Sequence, residues 1–248
     1  MAEHEDSGVV TTDDHGGTVR HLTLPGGPLA EATARRLVTI VDHLAEDRAV
    51  RVVTLSSRRV PFCPGPAPGF EPLSIDPDPA AAVARLRVPV VVAVEGACHS
   101  VGLELVLAAD VRLCSTDATF ALPDVADGRL PCWGGTQRLA RAVRPAEATS
   151  MLLLGTELDA ERATALGLVH QVVDDPSAAL TATAQTLATR GPLALEMAKE
   201  AVHRGAELPL RDGLRLEGDL NHQLAATEDR AEGLQAFFDK RPPDFAGR

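Results

Sequence analysis

Residues 88–139 read VPVVVAVEGACHSVGLELVLAADVRLCSTDATFALPDVADGRLPCWGGTQRL, and the order of apolar runs and turns in this stretch decides the fold. Residues 88–94 form a β-branched apolar run too short for a helix, the pattern of a strand covered on both faces. Gly96 then turns the chain into an apolar helix that carries a single acid, Glu104, inside Val101-Gly102-Leu103-Glu104-Leu105-Val106-Leu107-Ala108-Ala109. A carboxylate buried among Leu and Val costs on the order of several kcal/mol unless it is protonated or partnered. A second acid, Asp124, follows in Leu122-Pro123-Asp124-Val125. Two such acids suggest acid/base chemistry.

Working outward, residues 111–114 and 119–122 read as strands, and residues 136–143 as a helix opened by Gly134-Gly135. Upstream, residues 18–24 alternate at strand period, residues 29–44 repeat at helical spacing, and residues 50–55 read as a buried strand. Residues 57–78, rich in Pro and Gly, read as a loop, and residues 80–86 as a short helix. Downstream, helical spacing recurs over 146–154, 159–166, 177–189, 192–204 and 208–224, broken by a strand over 168–173. The pattern predicts an α/β core over residues 9–190 and a C-terminal helical region over 191–248.

The chain has 248 residues and 26.1 kDa, enough to bury a full core. Aromatic content of 3% with no Tyr, and a net charge of -11, argue against nucleic-acid binding and against attraction to anionic lipid. Cys63, Cys98, Cys114 and Cys132 show no CxxC spacing, so neither a metal site nor a disulfide framework is expected. Residues 1–8 are polar and acidic, and no apolar run reaches the length needed to span a bilayer. A cytoplasmic protein with reduced thiols is the expectation.

The quoted stretch resembles the enoyl-CoA hydratase/isomerase, or crotonase, family. The similarity resumes in GTELDAERATALGLVHQVV (155–173), ALEMAKEAV (194–202) and EGLQAFFDKRPPDF (232–245), so it covers most of the chain. The resemblance implies a crotonase-like α/β fold with a (ββα)-repeat spiral core, acting on an acyl-CoA or acyl-carrier thioester. No separate cofactor is implied, because CoA is part of the substrate. Homotrimers or dimers of trimers are usual in the family, which would make residues 191–248 a trimerisation region.

In that family, backbone N–H groups hold the thioester oxygen and stabilise an enolate-like transition state. The resemblance places one donor at Val101, where Gly is usual, and matches Glu104 and Asp124 to the two carboxylates of hydratases. One removes a proton from water attacking Cβ while the other protonates Cα. The second acid is commonly Glu, so Asp124 is one methylene short. Phe62-Cys63-Pro64-Gly65-Pro66-Ala67 aligns with the family's F-x-A-G-x-D-L loop, whose residue after Gly supplies the other N–H. Here that residue is Pro66, which has no N–H, and Ala67 replaces the loop's Asp. Either the loop shifts so that Gly69 or Phe70 donates, or half of the hole is missing.

Cys63, Gly65, Ala67, His99 and Trp133 are candidate substrate contacts. Phe237 and Lys240 match positions that contact the adenine and phosphate portion of CoA bound to a neighbouring subunit. Plainer readings stand beside these. Glu104 could pair with Arg112 or Arg138, Asp124 could be a turn cap with Asp127 as the working acid, and Lys240 could be a solvated helix-end charge. Cys98 and Cys132 read as packing rather than nucleophiles, and His170 as core or substrate wall. Between Gly65 and Val88 the chain is shorter than family members usually are, which alters the cover of the acyl pocket. The sequence reading is an enoyl-CoA hydratase. The alternatives are an isomerase, decarboxylase or dehydratase on the same fold, or a non-catalytic thioester-binding subunit.

Overall fold

The computed structural model describes residues 8–248; the N-terminal segment before them lies outside the described residues. Its elements run in the order β1 (Val10–Asp14), β2 (Val19–Leu24), α1 (Glu31–Glu46), β3 (Val52–Ser57), α2 (Pro79–Ala84), β4 (Val90–Val94), β5 (Ala97–His99), α3 (Val101–Val106), β6 (Val111–Cys114), β7 (Thr119–Ala121), α4 (Gly135–Ala142), α5 (Pro145–Leu154), β8 (Leu158–Asp159), α6 (Ala160–Ala165), β9 (Gln171–Val172), α7 (Pro176–Ala188), α8 (Pro192–Gly205), α9 (Leu210–Ala225) and α10 (Glu228–Asp239).

The apolar run that opens the reading is the central strand β4, and all five of its residues are buried. Side chains alternate across a strand, so Val90, Val92 and Val94 join a core with Leu37 and Val41 of α1 and with Leu103 and Leu105 of α3. Val91 and Ala93 point the other way, onto Leu180, Ala184 and Ala188 of α7. Covering both faces is what a parallel sheet requires and what removes polar residues from β4.

Two sheets result. The larger has the order β1-β2-β3-β4-β6-β9 and is parallel except at β1, and the smaller has the order β5-β7-β8. From β4 the chain steps to β5 in the second sheet, returns through α3 to β6, and steps again to β7. This is the strand-strand-helix spiral. It places the N-terminus of α3, the end of β7 and the short helical turn Asp124–Asp127 side by side, since β5 and β7 pair in parallel from Ala97–Thr119 to His99–Ala121.

Helix starts follow the local sequence. Asp78, Asp159 and Asp175 each accept the N–H three residues on, with Pro at the first helical position of α2 and α7. Strand β1, three-residue β5 and helix α10 are elements that periodicity does not reveal. The expected strand 168–173 shrinks to two residues. The Arg112 N–H donates to the His170 ring at 3.0 Å, so a side chain takes a place the ladder would need.

The expected boundary at 190/191 falls between α7 and α8. Lys199 on α8 reaches Asp110 at 2.7 Å and donates to the Val88 carbonyl at 2.9 Å, tying that helix to the core. Val202, Leu210, Leu214, Phe237 and Phe238 on α8–α10 are exposed.

Candidate active site

Glu104 lies in the first turns of α3 with only 1% of its surface exposed. It pairs with neither Arg112 nor Arg138, whose guanidinium groups donate to the carbonyls of Leu168 and Ala109 and of Trp133. Instead its Oε1 accepts two backbone N–H bonds, from Trp133 and Gly135, both at 2.7 Å. The second oxygen, Oε2, is buried with no hydrogen-bond partner among the described residues. Burial pushes the carboxyl up to about 7 against the pull of those two N–H bonds, and the Asp124 charge adds to the rise. Glu104 is therefore protonated over part of the neutral range.

The approach of α4 to Glu104 depends on Gly135. A Cβ there would stand 2.9 Å from Glu104 Oε1 and 3.0 Å from its Cγ. Gly102 acts similarly on the other side of α3, where a Cβ would meet the Cys63 carbonyl oxygen at 2.6 Å. One glycine lets the backbone reach the carboxylate, and the other lets the Cys63 loop lie against the helix.

Asp124 is 3% exposed. Its Oδ1 accepts the Ser100 hydroxyl at 2.6 Å and faces Arg129 Nη1 at 3.9 Å, whereas Oδ2 is buried and has no partner among the described residues. Asp127 is exposed and pairs with Arg129 at 3.0 Å, so burial separates the two acids that the sequence left as rivals. Both buried acids thus keep one oxygen fixed and the other unclaimed.

Val101, Asp124, Arg129 and Cys132 line a cavity of about 520 Å³ together with Glu71–Leu73 and Leu130–Pro131. The Val101 N–H forms no hydrogen bond among the described residues, as expected for the first turn of a helix. Glu104 is not on the cavity surface. It is held through backbone to the segment that follows Cys132. One wall comes from the helical turn Pro72–Ser74, inside the segment that sequence showed only as loop.

The loop at Pro66 is pinned. Leu29 N–H donates to the Gly65 carbonyl at 2.9 Å and Ala67 N–H to the Leu29 carbonyl at 2.8 Å, a parallel bridge centred on Leu29 and Pro66. Phe70 N–H is committed to the Ala67 carbonyl, which leaves Gly69 as the candidate there whose N–H is unclaimed among the described residues. Gly65 stands close to the site, since a Cβ on it would lie 3.8 Å from Ser100 Cβ.

Other candidates occupy several different places. Cys63 is buried with a free thiol, its backbone paired with that of Cys98, and burial pushes the thiol up to about 11. Cys132 lines the cavity, with burial and the surrounding carboxylates pushing its thiol up to about 12, so neither is a ready thiolate. His99 is half-buried and bonded to Thr119 at 3.1 Å and Glu157 at 3.0 Å. Trp133 lies behind the cavity wall, its indole N–H donating to the Pro72 carbonyl at 3.1 Å. Phe237 and Lys240 sit at the end of α10 and do not line the cavity. Sequence reasoning missed Arg129 and Glu71 as lining residues and the tie between Ser100 and Asp124, none of which has a local pattern. Among the described residues no His/Cys/Asp/Glu group is arranged to hold a metal, and no helix is long and apolar enough to cross a membrane.

A two-sheet spiral of strand-strand-helix units defines a fold class, and comparison with known proteins agrees on the fold. A family model described as enoyl-CoA hydratase/isomerase matches residues 77–248, and the chain belongs to that family. It is 42% identical over 168 residues to a Mycobacterium tuberculosis protein named probable enoyl-CoA hydratase echA8, covering 67% of this chain and 65% of that one. Over 162 residues it is 42% identical to the 2,3-dehydroadipyl-CoA hydratase of Escherichia coli, covering 64% of each. The chain thus spans slightly under two thirds of the length of these curated relatives. The crystal structure of an enoyl-CoA hydratase from Bacillus anthracis is similar with a TM-score of 0.87 at 29% identity, covering 97% of this chain and 100% of that one.

Proposed function

We propose that the protein is an enoyl-CoA hydratase that adds water across the α,β double bond of an acyl thioester. The carrying observation is the pair Glu104 and Asp124, each buried, each held through one oxygen, each with its second oxygen unpartnered among the described residues. In the reaction, the water oxygen bonds to Cβ while one carboxylate takes a water proton. The π electrons move onto the thioester oxygen, and the other carboxyl delivers its proton to Cα as the C=O re-forms. The Val101 N–H faces the oxygen on which charge develops, and the α3 dipole favours that charge. Asp124 lines the cavity, and burial, which raises the Glu104 carboxyl to about 7, favours Glu104 holding a proton below neutral pH.

The substrate is an acyl-CoA or acyl-carrier thioester whose CoA portion is contacted by Phe237 and Lys240 of a neighbouring copy. Cys63, Gly65, Ala67, His99 and Trp133 do not line the cavity and would shape it only through the residues that do. The neighbouring-copy contact needs an assembly, a homotrimer or dimer of trimers, and the exposed apolar residues on α8–α10 support it. A cytoplasmic location fits the same reading.

Pro66 favours a second reading, a thioester-binding subunit without turnover, because an oxyanion donor lost to proline typically costs about 10²–10³ in rate. Incubating the protein with short and medium enoyl-CoAs decides between them. Loss of the conjugated thioester absorbance with solvent deuterium appearing at Cα supports hydration, a migrated double bond supports isomerisation, and binding without conversion supports the second reading.

A further inference from the structure

The Ser100 backbone lies at φ 51 and ψ -126, one of two non-glycine residues with positive φ among the described residues. Such a conformation is strained for an L-residue, and it persists where the surroundings over-determine it. Ser100 is held on three sides. Its N–H donates to the Ala121 carbonyl at 3.0 Å, its own carbonyl accepts the Glu104 N–H at 3.0 Å, and its hydroxyl donates to Asp124 Oδ1 at 2.6 Å. Ser100 is 3% exposed, as is Asp124. A glycine would meet the backbone demand without strain, so the hydroxyl is what a serine adds here.

Asp124 would have no anchor of comparable strength without it, because Arg129 stands 3.9 Å away and is already bonded to Asp127 at 3.0 Å. A 2.6 Å contact is the ordinary length for a hydroxyl donating to a carboxylate, a charge-assisted bond stronger than a neutral one. One more methylene at position 124 would carry the carboxyl past the place where the Ser100 hydroxyl now holds Oδ1.

We propose that Ser100 is a positioning residue matched to the short side chain of Asp124: its hydroxyl fixes Oδ1 and so aims Oδ2 at the substrate. The inference rests on Asp124 acting in hydration as set out above. The matching predicts that the two positions change together. Ser100→Gly leaves Asp124 unanchored, and Asp124→Glu, held by the same hydroxyl, misplaces its second oxygen. The double variant removes the mismatched anchor and lets the longer acid reach unaided.

The test is a double-mutant cycle on hydration of a four-carbon enoyl-CoA by wild type, Ser100→Gly, Asp124→Glu and Ser100→Gly/Asp124→Glu. Each single variant is expected to lose roughly 10-fold or more in kcat with KM within about twofold, since orientation rather than binding is lost. The double variant is expected to return to within about threefold of wild type. Additive losses, or full kcat in Ser100→Gly, would overturn the proposal, and a merely destabilised fold would not be rescued by a longer acid.

If wild type turns over no enoyl-CoA, the hydratase reading fails separately. The hydroxyl's hold on Asp124 is then read by carbon NMR of the labelled carboxyl. The charged or titratable groups facing it are Glu104, Arg129, Cys132 and Glu71. Loss of the hydroxyl donor should move the Asp124 carboxyl carbon resonance in Ser100→Gly at a fixed pH, and an unchanged resonance overturns the anchoring itself.

Discussion

Glu104 shows how one buried charge ties stability to chemistry. Its carboxyl is raised from 4.5 to about 7, mainly by burial. Folded protein therefore holds a proton that unfolded chain releases, and the associated stability is complete below about pH 4.5 and lost as pH rises through about 7. By linkage the loss is about 3 kcal/mol. Glu104→Gln keeps an Oε1 to accept the Trp133 and Gly135 N–H groups but cannot titrate. Urea unfolding should show the variant gaining about 3 kcal/mol relative to wild type between pH 4 and pH 8, and a pH-independent difference would contradict the shift. The acid was legible in the sequence because a lone Glu in an apolar helix is an energetic anomaly. Its partners were not, since backbone N–H groups from a segment some thirty residues away leave no mark in composition.

At the scale of elements, α4 and the Pro66 loop each carry a prediction. Gly135 starts α4, and its N–H reaches Glu104 because no Cβ intervenes. Gly135→Ala should displace the carboxylate, cutting hydration activity and costing about 1–3 kcal/mol in chemical denaturation; wild-type activity and stability together would show that the contact yields freely. Pro66→Ala restores an N–H to a loop that the Leu29 bridge already holds in place. If that loop faces the developing charge, kcat should rise by up to about 10²-fold, measured on the same enoyl-CoA, and an unchanged kcat would place the loop outside the oxyanion site. Sequence period found β4, α1 and α7 because each is long or covered on both faces. It missed β5, whose three residues Ala97–His99 are too few to show a period, and the cavity wall at Pro72, where the contact is to distant Trp133.

At the scale of the whole molecule, the spiral brings three sequence regions to one cavity, and family membership follows from that arrangement together with similarity over residues 77–248. The α/β class was legible from the order of strand and helix patterns, whereas the spiral was implied by resemblance. The assembly was expected from resemblance alone. Exposed Leu210, Leu214, Phe237 and Phe238 form apolar surface that a neighbouring copy would cover. Sedimentation equilibrium should give three or six times the 26.1 kDa chain mass; a stable 26.1 kDa species would remove the neighbouring-copy contact of Phe237 and Lys240 from the account.

The central claim is that Glu104 and Asp124 together add water to an enoyl thioester, and the kcat of Glu104→Gln beside wild type tests it most directly. The account predicts hydration by wild type and a fall of about 10²–10⁴-fold in the variant with KM little changed. A Glu104→Gln protein that hydrates the substrate at the full wild-type rate would contradict it.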